Sequence, residues 1–322
     1  MMHAVARWPR VGLGCAALGT PSPELSDADA EAVIARAIDR GIRFFDVAPL
    51  YGGGVAEERL GRALRGLARD DYVLCTKTGV TRPYGEPPMP PGATRRRQFD
   101  RWDYSANSTR ASIDASRERL RVERLDVVHL HDVEDHVDRC LDAYATLNAL
   151  RADGVVGAIG IGSNHVQPVR HLLERADFDT FLLAGRYTLL DQSGASLIAD
   201  AHARGLRVVA GGVYNSGVLS AWPQHAATFG YEPAGDDVLA RTARIAAICD
   251  AHRVPIGAAA LQFVLANPAI ATVLIGPRSV PELDANLDAL RLTIPDALWS
   301  ALEREPLIPR GSPWPHAETA LA

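Results

Sequence analysis

Eight short runs of continuous apolar and β-branched residues, each followed by a stretch with helical spacing, constrain this chain more than any other feature of it. They lie at 11–14, 43–46, 72–77, 125–131, 155–162, 180–187, 207–211 and 271–276. Continuous rather than alternating apolarity suits strands covered on both faces, as in a parallel sheet. Parallel neighbours need crossover connections, and the segments between the runs supply them. Ser26 and the acidic residues after it read as a helix start, Ala30, Val33, Ile34, Ala37 and Ile38 as its buried stripe, and Gly41 as its stop. The same logic predicts helices over 57–67, 108–120, 137–153, 167–175, 194–204, 238–252 with 256–266, and 280–290.

Eight βα units can close into a barrel or spread into an open doubly wound sheet. The unusual polar residues fall at the carboxyl ends of strands throughout the series, whereas an open sheet gathers its site at one switch point. The expected fold is therefore α/β, a (β/α)8 TIM barrel formed as a single domain over 1–322. Long connections follow the third and seventh strands, at 81–103 and 213–235, and would rise over the face where barrel active sites lie. The end of the chain, 311–322, reads as a loop.

With 34 Lys and Arg against 39 Asp and Glu the net charge is −5, and the basic residues are scattered, which argues against a phosphate-binding surface for nucleic acid. Cys15, Cys75, Cys140 and Cys249 are far apart, form no C-x-x-C pair, and read as reduced core thiols. The amino-terminal stretch has no signal-peptide core and no apolar run reaches membrane-spanning length. A cytoplasmic protein acting on a small molecule is the expectation, with neither nucleic acid nor membrane as partner; the oligomeric state is left open.

Asp46 closes the second strand, Tyr51 follows in the loop APLYGGG, Lys77 closes the third strand, and His129 and His131 lie two apart on the fourth. Gathered at one barrel mouth, these residue types have a specific chemical use. An ammonium beside a phenol favours the tyrosinate, the carboxylate holds the ammonium, and the imidazole donates a hydrogen bond to a substrate oxygen. The same residues admit two rival readings. H-x-H with Asp132 and His136 nearby has zinc-ligand spacing, but the eighth strand ends without an Asp and the fifth and sixth without a His, so no metal is expected. A barrel that merely senses a cofactor would have no need of a Lys-paired tyrosine.

These residues carry a resemblance to the aldo-keto reductases over nearly the whole chain, in FFDVAPLYGGGVAEERLG, VLCTKTGV, RLDVVHLHD, GAIGIGSN and ALQFVLANPAIATVLIGPRSVPELDAN. The family is similar in being a (β/α)8 barrel that uses NAD(P)(H) without a Rossmann domain, in keeping with the lack of a G-x-G-x-x-G turn here. The resemblance implies a catalytic tetrad of Asp46, Tyr51, Lys77 and His131, with His129 one pleat deeper in the core. It implies a cofactor, NADP or NAD, with Ser163 and Asn164 on the nicotinamide carboxamide. Gly211, Gly212, Tyr214 and Leu219 would lie along the cofactor, and Gly276, Arg278, Ser279 and Asn286 at its adenosine end. The chain departs from the family at Ala184, where many members have Gln, and at Gly211–Gly212, where many have an aromatic; Tyr214 is then the candidate that orients the ring.

RWDYS, HLHDVED and GGVYNSGVL further resemble the branch that oxidises sugars at C1, which includes L-fucose, L-galactose and D-threo-aldose 1-dehydrogenases. A near relative of that branch oxidises the cyclic hemiacetal of pyridoxal, and general aldehyde or ketone reduction is the broader alternative. Trp102, Tyr104, Arg186 and Tyr187 are expected by position to wall the substrate pocket. The triplet Arg95–Arg97 reads as a solvated loop face, with the cofactor phosphates as the other assignment.

Overall fold

The computed structural model describes residues 8–19, 25–81, 101–220, 222–223, 228–230 and 232–315. Its eight parallel strands are β1 (Val11–Gly14), β2 (Phe44–Asp46), β3 (Val73–Thr78), β4 (Leu125–His131), β5 (Val156–Ser163), β6 (Thr180–Ala184), β7 (Arg207–Gly211) and β8 (Thr272–Ile275). Each pairs with the next in chain order, and β8 pairs back on β1, so the barrel closes. The sixth run was expected to continue to Tyr187. It stops at Ala184 because Gly185 takes a left-handed turn.

The helices are α1 (Asp27–Asp39), α2 (Val55–Ala63), α3 (Ala106–Leu120), α4 (Cys140–Ala152), α5 (Val166–Leu173), α6 (Ala195–Ala203), α7 (Asp236–Ala251), α8 (Ile256–Leu265), α9 (Val280–Ala289) and α10 (Asp296–Arg304). Ser26 caps α1 as a full capping box with Asp29, and Ser105 and Ser279 cap α3 and α9 with their hydroxyls. Helix α10 was not anticipated. Its charged residues obscure a stripe of Leu298, Trp299, Ala301 and Leu302 that is recognisable once α7 and Phe263 of α8 are there to cover it.

Side chains alternate across the sheet and fill two cores. Phe44, Val73, Cys75, Val127, Leu182, Val209 and Leu274 point into the barrel, closed from below by Trp8, whose ring meets Phe44 at 5.2 Å. Their neighbours, among them Phe45, Leu74, Val128, Ile159 and Phe181, point outward into the larger core beneath the helices. All four cysteines are buried and free. The connections after β3 and β7 are the longest of the βα connections. The first is gathered at its base where Val80–Thr81 pairs antiparallel with Arg101–Trp102. Arg95–Arg97 lie outside the described residues. Among the described residues no helix is long and apolar enough to cross a membrane.

Candidate active site

The inward face of the barrel ends, on β2, β3 and β4, in polar side chains rather than apolar ones. Asp46, Lys77, His129 and His131 are all buried, with Lys77 only 1% exposed. Lys77 Nζ donates to Asp46 Oδ2 at 2.7 Å and to the Val47 carbonyl at 3.0 Å, which fixes the ammonium at the top of β3. It lies 4.8 Å from the centroid of the Tyr51 ring, within electrostatic and hydrogen-bonding range of that residue. The Tyr51 ring in turn meets His131 edge-on, at 5.8 Å and 86°. The structure thus brings Asp46, Tyr51, Lys77 and His131 into one cluster.

Tyr51 reaches this position because the chain turns tightly after it. Gly52, Gly53 and Gly54 have φ of +66°, +65° and +107°, a succession open to glycine and costly for other residues. A Cβ on Gly52 would also stand 1.9 Å from the Gly19 carbonyl oxygen. Behind the loop Glu57 is fully buried. Its carboxylate accepts from Thr76 at 2.7 Å and pairs with Arg119 at 2.6 Å, tying α2 and α3 to the residue that precedes Lys77.

Burial by itself would lower the Lys77 pKa. Asp46 and then Tyr51 overcome that and hold the ammonium above its ordinary value. Burial pushes the Asp46 carboxyl up, and Lys77 pulls it back. Burial, reinforced by the Lys77 charge, holds His131 well below the usual imidazole value, and Glu134 only partly offsets this. His131 is therefore neutral. His129 is held down in the same way, is completely buried and pairs in register with Lys77, one pleat below His131. It is packed core, as its position in the sequence implied. Among the described residues no group of three or more His, Cys, Asp and Glu is arranged to hold a metal.

Beyond β4 the mouth changes character. Ser163 Oγ donates to Glu134 Oε1 at 2.9 Å, and the Asn164 backbone N–H donates to the same oxygen at 2.7 Å. Arg186 binds the Asn164 carbonyl at 2.7 Å and Asp191 at 2.6 Å. Glu134 went unrecognised as the organiser of this corner because a loop glutamate carries no local signal. Further round, Gly14, Ala184 and Gly211 end β1, β6 and β7, and Gly276 follows β8, with at most a methyl group. Among the described residues a Cβ on Gly276 would meet only the Gly14 carbonyl oxygen, at 3.5 Å. One arc of the mouth is therefore charged and the opposite arc is bare.

Tyr214 donates to Asn286 Oδ1 at 2.8 Å, joining the loop after β7 to α9. Ser279 caps α9, and the exposed Arg278 donates its backbone N–H to Glu282 at 2.8 Å. Gly212, at φ +61°, and buried Asn215 shape the turn that leads to Tyr214. Trp102 packs on His136 at 5.8 Å. Three expected contacts are not at the mouth. Leu219 is wholly buried in the outer core. Tyr187 turns away after Gly185 and stacks on Phe263 at 5.3 Å. Tyr104 lies behind His131, where its hydroxyl donates to the His131 carbonyl at 2.6 Å. For the two tyrosines an apolar ring larger than its polar handle goes to the core.

A model of the Aldo/keto reductase family matches residues 10–304. The chain is 40% identical over 313 residues to a D-threo-aldose 1-dehydrogenase from a Pseudomonas species, covering 94% of this chain and 95% of that one. It is 37% identical to a pyridoxal 4-dehydrogenase from Microbacterium luteolum, covering 92% and 94%. Among solved structures, the holo form of an aldo-keto reductase from Bacillus halodurans superposes with a TM-score of 0.72 at 24% identity, over 92% of this chain and 91% of that one.

Proposed function

Since this chain belongs to the aldo/keto reductase family and is an oxidoreductase, we propose that it oxidises an aldose at C1 to the lactone with a nicotinamide cofactor, NAD or NADP. The observation that carries the reading is the buried Lys77–Asp46 ion pair set against Tyr51, with a neutral His131 on the other edge of the phenol.

The bare arc of Gly14, Ala184, Gly211 and Gly276 fits a flat ring lying beside Tyr51, because these four positions offer nothing larger than a methyl group. Ser163 and the Asn164 side-chain amide, whose contact with Asp132 Oδ1 is long at 3.4 Å, would hold the carboxamide. Gly212 and Tyr214 would continue along the cofactor, with Arg278, Ser279 and Asn286 at its adenosine end. When bound, the cofactor supplies the acceptor for the hydride leaving C1.

The protein's own part is proton handling and orientation. The Lys77 ammonium stabilises a phenolate on Tyr51, which takes the proton of the anomeric hydroxyl; Asp46 keeps Lys77 charged in a site that would otherwise neutralise it. His131, being neutral, donates an N–H hydrogen bond to the reacting oxygen without itself changing charge. In the reducing direction the same phenol returns the proton. The hemiacetal of pyridoxal presents the same reacting unit, and the 37% identity to a pyridoxal dehydrogenase makes it the second candidate.

Absorbance at the reduced-nicotinamide band with L-fucose, L-galactose, D-arabinose, pyridoxal and simple aldehydes, each with both cofactors, tests the substrate class. Oxidation of pyridoxal but of no aldose would overturn it. The chemistry is tested by Tyr51→Phe, which is expected to leave cofactor affinity nearly unchanged and to lower turnover by ~10²–10⁴. A variant retaining most of its rate would remove Tyr51 from proton transfer.

A further inference from the structure

We propose that Asp132 reads the hydroxyl on the carbon next to the one oxidised and so makes the site selective for substrates with an oxygen donor at that position; the proposal rests on the aldose reading above. Asp132 immediately follows His131. Its backbone has φ +49°, in the left-handed region that is uncommon outside glycine but more open to Asp than to most residues, and two contacts hold it there. The Asp132 N–H donates to the Gly162 carbonyl at 3.0 Å. From behind, the Tyr104 hydroxyl lies against two successive carbonyls, that of His131 at 2.6 Å and that of Asp132 at 3.2 Å. Tyr104 is 1% exposed. It can lie there because residue 79 is glycine: a Cβ on Gly79, itself at φ +100°, would be 2.1 Å from the tyrosine ring.

The effect of the turn is to bring the carboxylate back over the imidazole. Asp132 Oδ1 stands 3.8 Å from His131 Nε2 and takes a long contact from Asn164 Nδ2 at 3.4 Å, and the Asp132 side chain is 33% exposed, which leaves the carboxylate within reach of a further donor beside the imidazole. The other imidazole nitrogen, Nδ1, is buried without a partner among the described residues, which leaves Nε2 to meet the substrate. A carboxylate beside Nε2 favours the tautomer with its proton there, the form that donates to the reacting oxygen.

In an aldose the oxygens on C1 and C2 lie about one hydrogen-bond length apart. With the C1 oxygen on Nε2, the four atoms Nε2, O1, O2 and Oδ1 form a closed ring whose fourth side is the 3.8 Å separation in the structure. A carboxylate only accepts, so it suits a hydroxyl, and with a 2-deoxy sugar it is left facing a methylene. A site made to bind a substrate hydroxyl rejects the analogue that lacks it, and a charged hydrogen bond at a site one-third open to water corresponds to about 10- to 10²-fold.

The test compares kcat/KM for L-fucose with 2-deoxy-L-fucose, and for D-arabinose with 2-deoxy-D-ribose, in the wild type, Asp132→Gly and Asp132→Asn. Glycine adopts the left-handed turn without cost, so this variant removes the carboxylate and keeps the backbone. Asparagine tolerates the turn and retains a neutral acceptor. The wild type is expected to prefer the hydroxylated sugar by about 10- to 10²-fold, Asp132→Gly to bring the ratio near one chiefly through loss with that sugar, and Asp132→Asn to fall between. Equal losses with both sugars, or a preference that survives in Asp132→Gly, would overturn the assignment while the aldose reading stands. A wild type that oxidises neither kind of sugar would overturn both.

Discussion

Replacing Asp46 with Asn separates the ion pair from the shape that holds it. The amide occupies the same volume, so its main effect is to leave the Lys77 ammonium buried without a counter-charge, the two side chains being only 2% and 4% exposed. Breaking such a pair from one side costs about 3–5 kcal/mol, and the Val47 carbonyl at 3.0 Å, which stays in place, argues for the lower end. An unfolding entropy of about 2.1 cal/mol/K per residue gives roughly 0.7 kcal/mol/K for a chain of 322 residues, so the thermal midpoint should drop by ~4–7 °C. That loss is tolerable against a typical stability of about 5–15 kcal/mol.

The pH dependence should change sign as well. In the wild type Lys77 has a folded pKa above its ordinary value, so its contribution is fully present below that ordinary value and is lost only as pH rises through the raised one. Without Asp46, burial, the largest single influence on Lys77, is expected to outweigh the Tyr51 contact that remains, so that the folded value drops below the unfolded one. The unfolded state then binds more protons, and the variant gains stability as pH rises from about 8 to 10, where the wild type is flat with respect to this group. Differential scanning calorimetry across that range reads both effects, and adding Lys77→Met should restore part of the lost midpoint by removing the stranded charge. A midpoint for Asp46→Asn within about 1.5 °C of wild type, with an unchanged alkaline slope, would refute the account of the buried pair.

Three further expectations follow from other parts of the barrel. A methyl group at Gly160 would stand 2.4 Å from His129 Cδ2, so Gly160→Ala should cost about 1–3 kcal/mol by overpacking the barrel interior; a denaturation midpoint equal to wild type would show that His129 does not point inward. His129 and His131 are both held far below the usual imidazole value, so kcat/KM should show no ionisation near about pH 6.5, and a limb there that disappears in His131→Ala would contradict a neutral donor. Arg278→Ala should weaken NADP binding more than NAD binding in a fluorescence titration, whereas equal effects would mean that the exposed guanidinium does not meet the 2′-phosphate.

Most of the fold was legible because it rests on local periodicity. Runs such as 125–131 and 207–211 became β4 and β7 without a shift, and Ser26 announced α1 as its cap. Strand ends of a parallel barrel share one mouth, so naming the ends of β2, β3 and β4 already brought Asp46, Lys77 and His131 together. What escaped were features in which a side chain meets a partner distant in the chain. Helix α10 has a buried stripe because α7 and Phe263 of α8 lie against it, and Tyr104 and Tyr187 were assigned by position to a pocket wall when their rings had better packing elsewhere.

The order of apolar and polar residues by itself determined that eight strands would lie parallel under helices and that an acid, a phenol, an amine and an imidazole would face the same opening, since these depend on pleat and period. Tertiary structure alone decided the charges and directions in that opening: Asp46 keeps Lys77 charged against its burial, burial beside Lys77 keeps His131 neutral, and the Tyr104 hydroxyl buttresses the left-handed turn at Asp132. Ionisation and strained backbone answer to the surrounding dielectric and to neighbours brought in from elsewhere in the chain, and no local pattern of residues encodes either.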